Sequence, residues 1–352
     1  MLKRVILNLV VMAVVTGVLY RILATQIPVL PWERPKPTPT PVAAATPLGR
    51  QPIRIGISDR PANLPMAALP KWPDNHQAVE VVVVPDTNLR WEMLAAGQLD
   101  MACGTLDSFS LALMRFPRVG IYLFSLGTSV GEDVLVASSA TRLTDLKHKS
   151  VAVPQGQDYV VGLALSQAGL SPSETTMIAT HTDQEALAEL HQHAVQAALL
   201  WEPQLAKGGE GTSVVFTTAD AKTPRIEEMC AVRPDVLHSR PAEVSSVMRT
   251  WFHIIDTLRT KPGLAREPIA RATGLAVDVL GDYLKTVQLS TLAENRNALD
   301  QALLVSTIQD QQSDFKMMGK TGTASAEVSQ AVNLDLLRQL PATVEEQQQQ
   351  QQ

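Results

Sequence analysis

The sequence predicts an α/β fold, because short apolar runs rich in β-branched residues alternate with amphipathic helical patterns. Two junctions show this most clearly, at residues 151–158 (VAVPQGQD) and 197–203 (AALLWEP). Each run ends abruptly in polar residues, glycine or proline, and we predict that a helix begins after it. In parallel α/β domains, ligands bind just beyond the carboxyl ends of the strands. We therefore expect these two junctions to contact a small solute.

The elements before residue 140 follow from the same patterns. IRIGI at residues 53–57 predicts a buried strand, which a polar turn and a short helix from Leu64 follow. Gly97 is predicted to end the helix at residues 88–96 as its C-cap. Apolar runs predict strands at 79–84, 99–104, 120–126 and 133–138, and helical spacing predicts helices at 88–96 and 106–114.

The same alternation continues towards the carboxyl terminus. Strands are predicted at 151–153, 175–180, 197–200, 213–216 and 229–232, and helices at 159–168, at 184–192 and from 242 to about 339. This order favours mainly parallel sheets with right-handed crossovers. It also predicts two α/β lobes, one of residues 53–134 plus 229–340 and one of residues 135–228.

Composition limits the class of protein. The chain has 352 residues, of which 45% are hydrophobic and 18% are charged, so it can bury sizeable cores in about two domains. The net charge of −5 and the pI near 5.8 argue against a nucleic-acid partner. Cys103 and Cys230 are too few and too far apart for a zinc site or a disulfide framework. One disulfide in an oxidising compartment stays open, but we expect two buried free thiols.

The first fifty residues indicate export. Lys3 and Arg4 precede an apolar run at residues 5–20, which is short for a spanning helix of about 20 residues and long for a secretory core of about 7–15. We predict a signal anchor or signal peptide at 1–24, and favour an uncleaved anchor in the cytoplasmic membrane at 5–24. A proline-rich tether follows at 25–52, and the glutamine-rich end at 341–352 is expected to be disordered. The folded part is then periplasmic or extracytoplasmic.

Several short motifs occur in an order that is typical of one family. They are residues 96–102 (AGQLDMA), 129–133 (SVGED) with 145–147 (DLK), 151–156 (VAVPQG), 201–203 (WEP) and, more loosely, 309–315 (QDQQSDF). With them the chain resembles the substrate-binding proteins of ABC importers over residues 53–340. It is most similar to the nitrate, taurine and aliphatic-sulfonate binders of the type II periplasmic-binding fold.

The resemblance implies a two-lobed clamp whose hinge strands bend so that the lobes close on a ligand. It also implies a small-molecule ligand, an ABC permease in the membrane as partner, a monomer, and no cofactor or catalysis. In the family, turns after strands contact the ligand. The corresponding positions are Asp59, Arg60, Asn63, Thr105, Ser129, Gly156, Gln157, Asp158, Trp201 and Glu202.

One departure from the family pattern concerns the helix that follows Gly156. Gln157 and Asp158 stand where the family often has small hydroxyl residues, which suit an anion at a helix N-terminus. Asp158 is expected to act as an ordinary helix cap, and its charge would repel a sulfonate or nitrate.

The Trp201 junction leaves two alternatives open. Trp201 is either a stacking platform for an organic cation or apolar tail, or a packed aromatic residue at a strand end. Glu202 is expected to recognise an ammonium group or another hydrogen-bond donor, and Glu132 and Glu228 would add acidity. The ligand therefore stays open between sulfonate, nitrate, taurine-like, and amine- or pyrimidine-like molecules.

Catalysis has no support in the sequence, which shows no Ser-His-Asp set and no metal-ligand cluster. Residues 319–321 (GKT) lack the earlier glycine of a P-loop, and His191 and His193 do not share a helix face. Two alternatives stay open: an enzyme on the same fold, resembling a thiamine pyrimidine-precursor synthase, and a ligand-sensing domain.

Overall fold

Two β-sheets with helices packed on them organise the part of the chain that the structure describes. This computed structural model describes residues 51–341, apart from 74, 76, 117, 139–141, 202–203, 205–210, 221–224, 321 and 323–326. The predicted membrane segment, and nearly all of the predicted tether and tail, lie outside these residues. Within them, no helix is both long and apolar enough to cross a membrane.

The described residues form eleven strands, numbered in chain order. They are β1 Ile53–Ile57, β2 Val79–Val83, β3 Met101–Thr105, β4 Ile121–Ser129, β5 Val134–Ala137, β6 Ser150–Pro154, β7 Thr176–Thr180, β8 Ala197–Leu200, β9 Ser213–Thr217, β10 Glu227–Val232 and β11 Val287–Leu289.

The α-helices of the same residues lie mostly between strands or in the last third of the chain. They are α1 Thr87–Ala95, α2 Leu106–Arg115, α3 Asp158–Gln167, α4 Asp183–His191, α5 Pro234–Ser239, α6 Pro241–Thr260, α7 Pro262–Thr273, α8 Val277–Tyr283, α9 Leu292–Ala298, α10 Gln301–Met317 and α11 Asp335–Gln339. Short 3₁₀ helices lie at Pro61–Lys71, Leu143–Leu146, Pro172–Glu174, Leu284–Thr286 and Val328–Ala331.

The first sheet has the order β11-β4-β10-β3-β1-β2 and the second has the order β7-β6-β8-β5-β9. We call each sheet with its helices a lobe, the first and the second. The expectation of mainly parallel sheets is wrong. β10 runs antiparallel to β3 and β4, and β5 runs antiparallel to β8 and β9. The chain leaves the first sheet along β4 and returns to it along β10, and it enters the second sheet along β5 and leaves it along β9, so these neighbouring strands run in opposite directions.

Most predicted elements exist near their predicted bounds, but the last third of the chain is not helical throughout. Val287–Leu289 forms a strand that pairs antiparallel with β4. Three residues of strand have too little pattern to stand out between helices, and their pairing is a tertiary contact.

The first of the two junctions, at residues 151–158, leads into α3 as predicted. After the second, Trp201, Gln204, Gly211 and Thr212 are not helical, and the other residues up to β9 lie outside the described part.

Cys103 and Cys230 form a disulfide, so the expectation of two free thiols is wrong. The two residues lie directly opposite each other on the antiparallel strands β3 and β10, with their Cα atoms 4.0 Å apart. Facing positions on antiparallel strands bring side chains on one face close together. The pair is separated by 127 residues in sequence, so no local spacing could indicate it.

The chain passes between the lobes twice, through two adjacent connections that we call crossings. The first runs from β4 to β5 and the second from β9 to β10. The hydroxyl groups of Ser129 and Thr218 hydrogen-bond across them (2.6 Å), and the Ser129 N–H donates to the Ile226 carbonyl (2.8 Å). These bonds hold the crossings together where the lobes meet.

The lobes also contact each other away from the crossings. Asn88 of α1 donates from Nδ2 to Gln155 Oε1 (2.8 Å), and Asp86 Oδ2 lies 3.0 Å from His181 Nδ1. Asp86 and Asn88 belong to the first lobe, whereas Gln155 and His181 follow strands of the second. The lobes are therefore in contact at α1 as well as at the crossings.

Candidate functional site

The Arg60 guanidinium lies at the centre of a buried polar cluster between the lobes. Arg60 is 1% exposed and lies in the turn after β1, directly before the 3₁₀ helix that begins at Pro61. Its backbone N–H contacts Ser58 Oγ (3.3 Å), which holds the turn. The sequence places the side chain there because Pro61 suits the first position of a helix and starts a new element immediately.

Three carboxylates surround this guanidinium. Nη2 donates to Asp133 Oδ1 (2.8 Å), and Nε lies 3.0 Å from Glu132 Oε1 and 2.6 Å from Glu228 Oε1. Of these contacts, only the one to Asp133 also has the alignment of a hydrogen bond. Glu132 and Asp133 lie on the first crossing, and Glu228 lies at the start of β10. Arg60 thus joins both crossings by charge.

Burial controls protonation in this cluster. Burial raises the pKa of Glu132 well above its ordinary value, although Arg60 opposes the shift. Burial likewise raises the pKa of Glu228, to which Asn63 donates from Nδ2 (3.0 Å). Burial alone would lower the pKa of Arg60, but the charges of Asp133, Glu132 and Glu228 raise it well above its usual value. Arg60 is therefore always a cation.

Trp201 and Asp183 bring the second lobe into the cluster. The Trp201 ring lies under the guanidinium, with 4.8 Å between Arg60 Cζ and the ring centroid, in a cation–π contact. Its Nε1 has no hydrogen-bond partner in the described part. Asp183 is the first residue of α4 and is 2% exposed. Burial and the nearby charge of Asp59 raise the pKa of Asp183 to about 7.

The end of β3 brings further polar groups from the first lobe. Thr105 caps α2 by accepting from the Ser108 N–H (3.3 Å), so its hydroxyl serves the helix. Asp107 follows in the first turn, and its pKa rises to about 7, mainly through burial. Arg90 lies behind the cluster, where Nε donates to the Cys103 carbonyl (2.7 Å), and burial lowers its pKa to about 10.

The turn before α3 forms another part of the lobe contact. Gly156 has a φ of 83°, and a Cβ there would lie 3.1 Å from Thr87 Cγ2 of α1. Glycine is thus needed for both conformation and close approach. Gln157 is 1% exposed, and its Oε1 has no hydrogen-bond partner among the described residues.

Asp158 does not cap α3, contrary to the expectation. The N-cap position belongs to Gln157, and Asp158 is the first helical residue. Its Oδ1 instead contacts Lys320 Nζ at 2.7 Å. The carboxylate still lies in the first turn, where the helix dipole favours a negative charge.

Of the residues proposed from sequence, the structure brings Arg60, Asn63 and Trp201 together. Ser129 lies at the crossings, Thr105 serves as a helix cap and Asp158 pairs with Lys320. Asp59 Oδ1 is buried without a hydrogen-bond partner in the described part, and Gly156 and Gln157 lie at the contact with α1. Glu202 lies outside the described residues.

Sequence reasoning missed the roles of Asp107, Asp183 and Arg90. Asp107 and Asp183 each lie in the first turn of a helix that follows a strand, the same kind of junction that indicated the other sites. Applying that rule to every such junction would have found both. Arg90 carries no such signal, because it lies within α1.

Comparisons with known proteins place the fold. No protein-family model matches the sequence, and no curated protein matches it by sequence. Solved structures do match. An alkanesulfonate-binding protein of Xanthomonas axonopodis pv. citri, bound to MOPS, has a TM-score of 0.62 and 18% identity, covering 80% of this chain and 98% of that protein.

Two further structures show the range of the likeness. A periplasmic aliphatic sulphonate-binding protein of Escherichia coli has a TM-score of 0.58 and 20% identity, covering 82% of this chain and 99% of its own. A Candida albicans protein described as having the generic periplasmic binding protein fold has a TM-score of 0.59 and 16% identity, covering 80% and 96%. At these identities the likeness shows the fold, and the expected periplasmic-binding fold is confirmed.

Proposed function

We propose that this protein is an extracytoplasmic solute-binding protein that delivers a small organic molecule to an ABC importer. The observation that carries the proposal is the buried polar cluster between the lobes, whose side chains come from both lobes and both crossings. Structures of the same fold include sulfonate-binding proteins, the ligand-binding component of an ABC-type import system of Staphylococcus aureus and a putative periplasmic sulfonate-binding protein of an ABC transporter, which supports binding over catalysis.

Hinge closure is the proposed mechanism. The lobes are joined at the crossings and touch through the Asn88–Gln155 and Asp86–His181 contacts. Breaking these contacts, together with those of Lys320 and Phe315 to the start of α3, would let the second lobe swing outwards about the crossings and admit solvent to Arg60 and Trp201. A ligand that contacts both lobes stabilises the closed state, and the closed state is the one that a permease recognises.

The location remains part of the proposal. Residues 5–24 would anchor the protein in the cytoplasmic membrane, and the proline-rich tether would hold the lobes outside. Extraction of membranes with alkaline carbonate should leave the full chain in the pellet and release a variant that lacks residues 1–24. Recovery of the full chain in the supernatant would contradict the anchor.

The binding function is tested by thermal-shift screening of the full-length protein. The library should contain sulfonates, nitrate, taurine, amines and pyrimidines, the classes that the sequence leaves open. We expect at least one solute to raise the melting temperature and to reduce the radius of gyration in small-angle X-ray scattering. If none does, the solute-binding function is wrong.

A further inference from the structure

Carboxyl groups outnumber guanidinium groups in the site between the lobes, and burial raises the pKa of several of them, so they take up protons when no further cation is present. Within the described part of the chain, its carboxyl groups are those of Asp59, Asp107, Glu132, Asp133, Asp183 and Glu228. Its guanidinium groups are those of Arg60 and Arg90, so six carboxyl groups face two fixed cations. Like charges that are buried together repel strongly because little solvent screens them. An added anion would increase that repulsion, and an added cation would offset it.

The buried atoms of the site that lack a hydrogen-bond partner also favour a cationic ligand. Both carboxylate oxygens of Glu132 and one oxygen each of Asp107, Asp133 and Asp183 are buried without an aligned hydrogen bond among the described residues. Of these, Glu132 Oε1 is in ionic contact with Arg60 Nε at 3.0 Å, and the others have no such contact in the same residues. Unpaired donors are fewer, on Arg60 and Trp201. A buried oxygen that lacks a donor costs free energy, so a ligand with N–H groups gains affinity here. A sulfonate or a nitrate offers only further acceptors.

The site already surrounds one cation, the Arg60 side chain, with carboxylates and an aromatic ring. The Arg60 guanidinium contacts the carboxylates of both crossings and lies over the Trp201 ring. An indole face together with carboxylates is an arrangement that recognises organic cations. The side chains that do this for Arg60 belong to a surface that both lobes share, where the ligand of a two-lobed clamp binds.

We infer that the ligand is a small organic cation with several N–H donors, a protonated amine or an amidinium, held between Asp107 of the first lobe and Asp183 of the second, beside Glu132. This inference rests on the proposed solute-binding function. Asp107 and Asp183 begin α2 and α4, so each can serve its helix, but their unpaired buried oxygens are not needed for that role.

The test measures affinity of the full-length protein for cationic, anionic and neutral probes by isothermal titration calorimetry. The cations are methylguanidine, benzamidine and butylamine, the anions are methanesulfonate and nitrate, and the neutral probe is uracil. We expect binding of at least one cation and of none of the others. Binding of an anion or of uracil without any cation would overturn the inference and leave the solute-binding function standing. Absence of binding by every probe and by every solute of the thermal-shift library would overturn both.

Substitutions that remove charge then test which residues bind the cation. Asp183→Asn and Glu132→Gln keep the shape of each side chain and remove its charge, and each should weaken cation binding at least tenfold. Asp282→Asn, on an exposed carboxylate paired with Lys285, is the matched control and should bind as the wild type does. Circular dichroism melts without probe check that each variant folds. Unchanged affinity in both folded variants would refute the assignment.

Discussion

Lys320 and Asp158 form an ion pair of 2.7 Å that joins the two lobes. Lys320 follows α10, which packs against α2 of the first lobe, whereas Asp158 begins α3 of the second. Phe315 and Met318 lie in the same segment, and Phe315 contacts Tyr159 with ring centroids 6.0 Å apart. The segment from Phe315 to Lys320, which we call the strap, therefore connects the first lobe to the start of α3 in the second lobe.

Removing this pair should favour opening of the lobes. Lys320→Met is expected to weaken solute affinity a few-fold, because an ion pair that is partly exposed contributes about 0.2–1 kcal/mol. Calorimetric titration with the best ligand measures the change. Lys285→Met removes a largely exposed pair within the first lobe and should have no effect on affinity. Equal affinities for both variants would show that the strap does not support closure.

Arg60 should be among the most sensitive positions for stability. Arg60→Met leaves Glu132, Asp133 and Glu228 buried without their cation, which should cost about 3–5 kcal/mol in the free energy of unfolding. Urea denaturation measures it. Arg54→Met removes an exposed pair with Glu80 and is expected to cost about 1 kcal/mol or less. A loss at Arg60 no larger than at Arg54 would contradict the buried cluster.

Cys103 and Cys230 should matter for stability in oxidising conditions. Replacing both with alanine is expected to lower the free energy of unfolding by about 2–5 kcal/mol, because the bond closes a long loop in the unfolded chain. Reductant should destabilise the wild type by a similar amount and leave the double variant unchanged. A wild type insensitive to reductant after unfolding and refolding would argue that the bond does not form.

Stability without ligand should fall as the pH rises from about 4 to about 7. Asp107 and Asp183 have pKa values of about 7 in the folded protein and ordinary lower values when unfolded. Between those values the folded state holds more protons, so raising the pH favours unfolding. Asp107 faces Asp133 and Arg60, and Asp183 faces Asp59 and Arg60. Asp107→Asn and Asp183→Asn should flatten the dependence in urea titrations, and Asp282→Asn should retain it.

The same protonation links pH to ligand binding. A bound cation favours ionised carboxyl groups, so the affinity for a cationic probe should rise from pH 5.5 to pH 8 and binding should release protons. Titrations in buffers of different ionisation enthalpy measure that release. Affinity that falls with pH would contradict a cationic ligand.

Much of the fold and part of the site could be predicted from sequence, for identifiable physical reasons. Strands such as β1 and β8 are continuous apolar runs, and Arg60 and Trp201 follow them at the ends where ligands bind. The antiparallel strands, β11 and the Cys103–Cys230 bond depend on which distant strands become neighbours. No local period records that information.

The pairing of charges around Arg60 could not be predicted from the sequence. Glu228 and Glu132 are 96 positions apart along the numbering of the chain, yet both lie within 3.0 Å of Arg60 Nε. The sequence suggested that both would add acidity to the site, but only the arrangement of the crossings shows that they share one cation.

The disulfide has a consequence for how the chain is connected. The peptide chain leaves Cys103, builds the whole five-stranded sheet and returns to Cys230, so the second lobe lies inside a covalent ring. A protease that cuts once within that lobe would release no fragment until the bond is reduced. The disulfide thus closes, within the first lobe, the covalent ring that contains the second lobe.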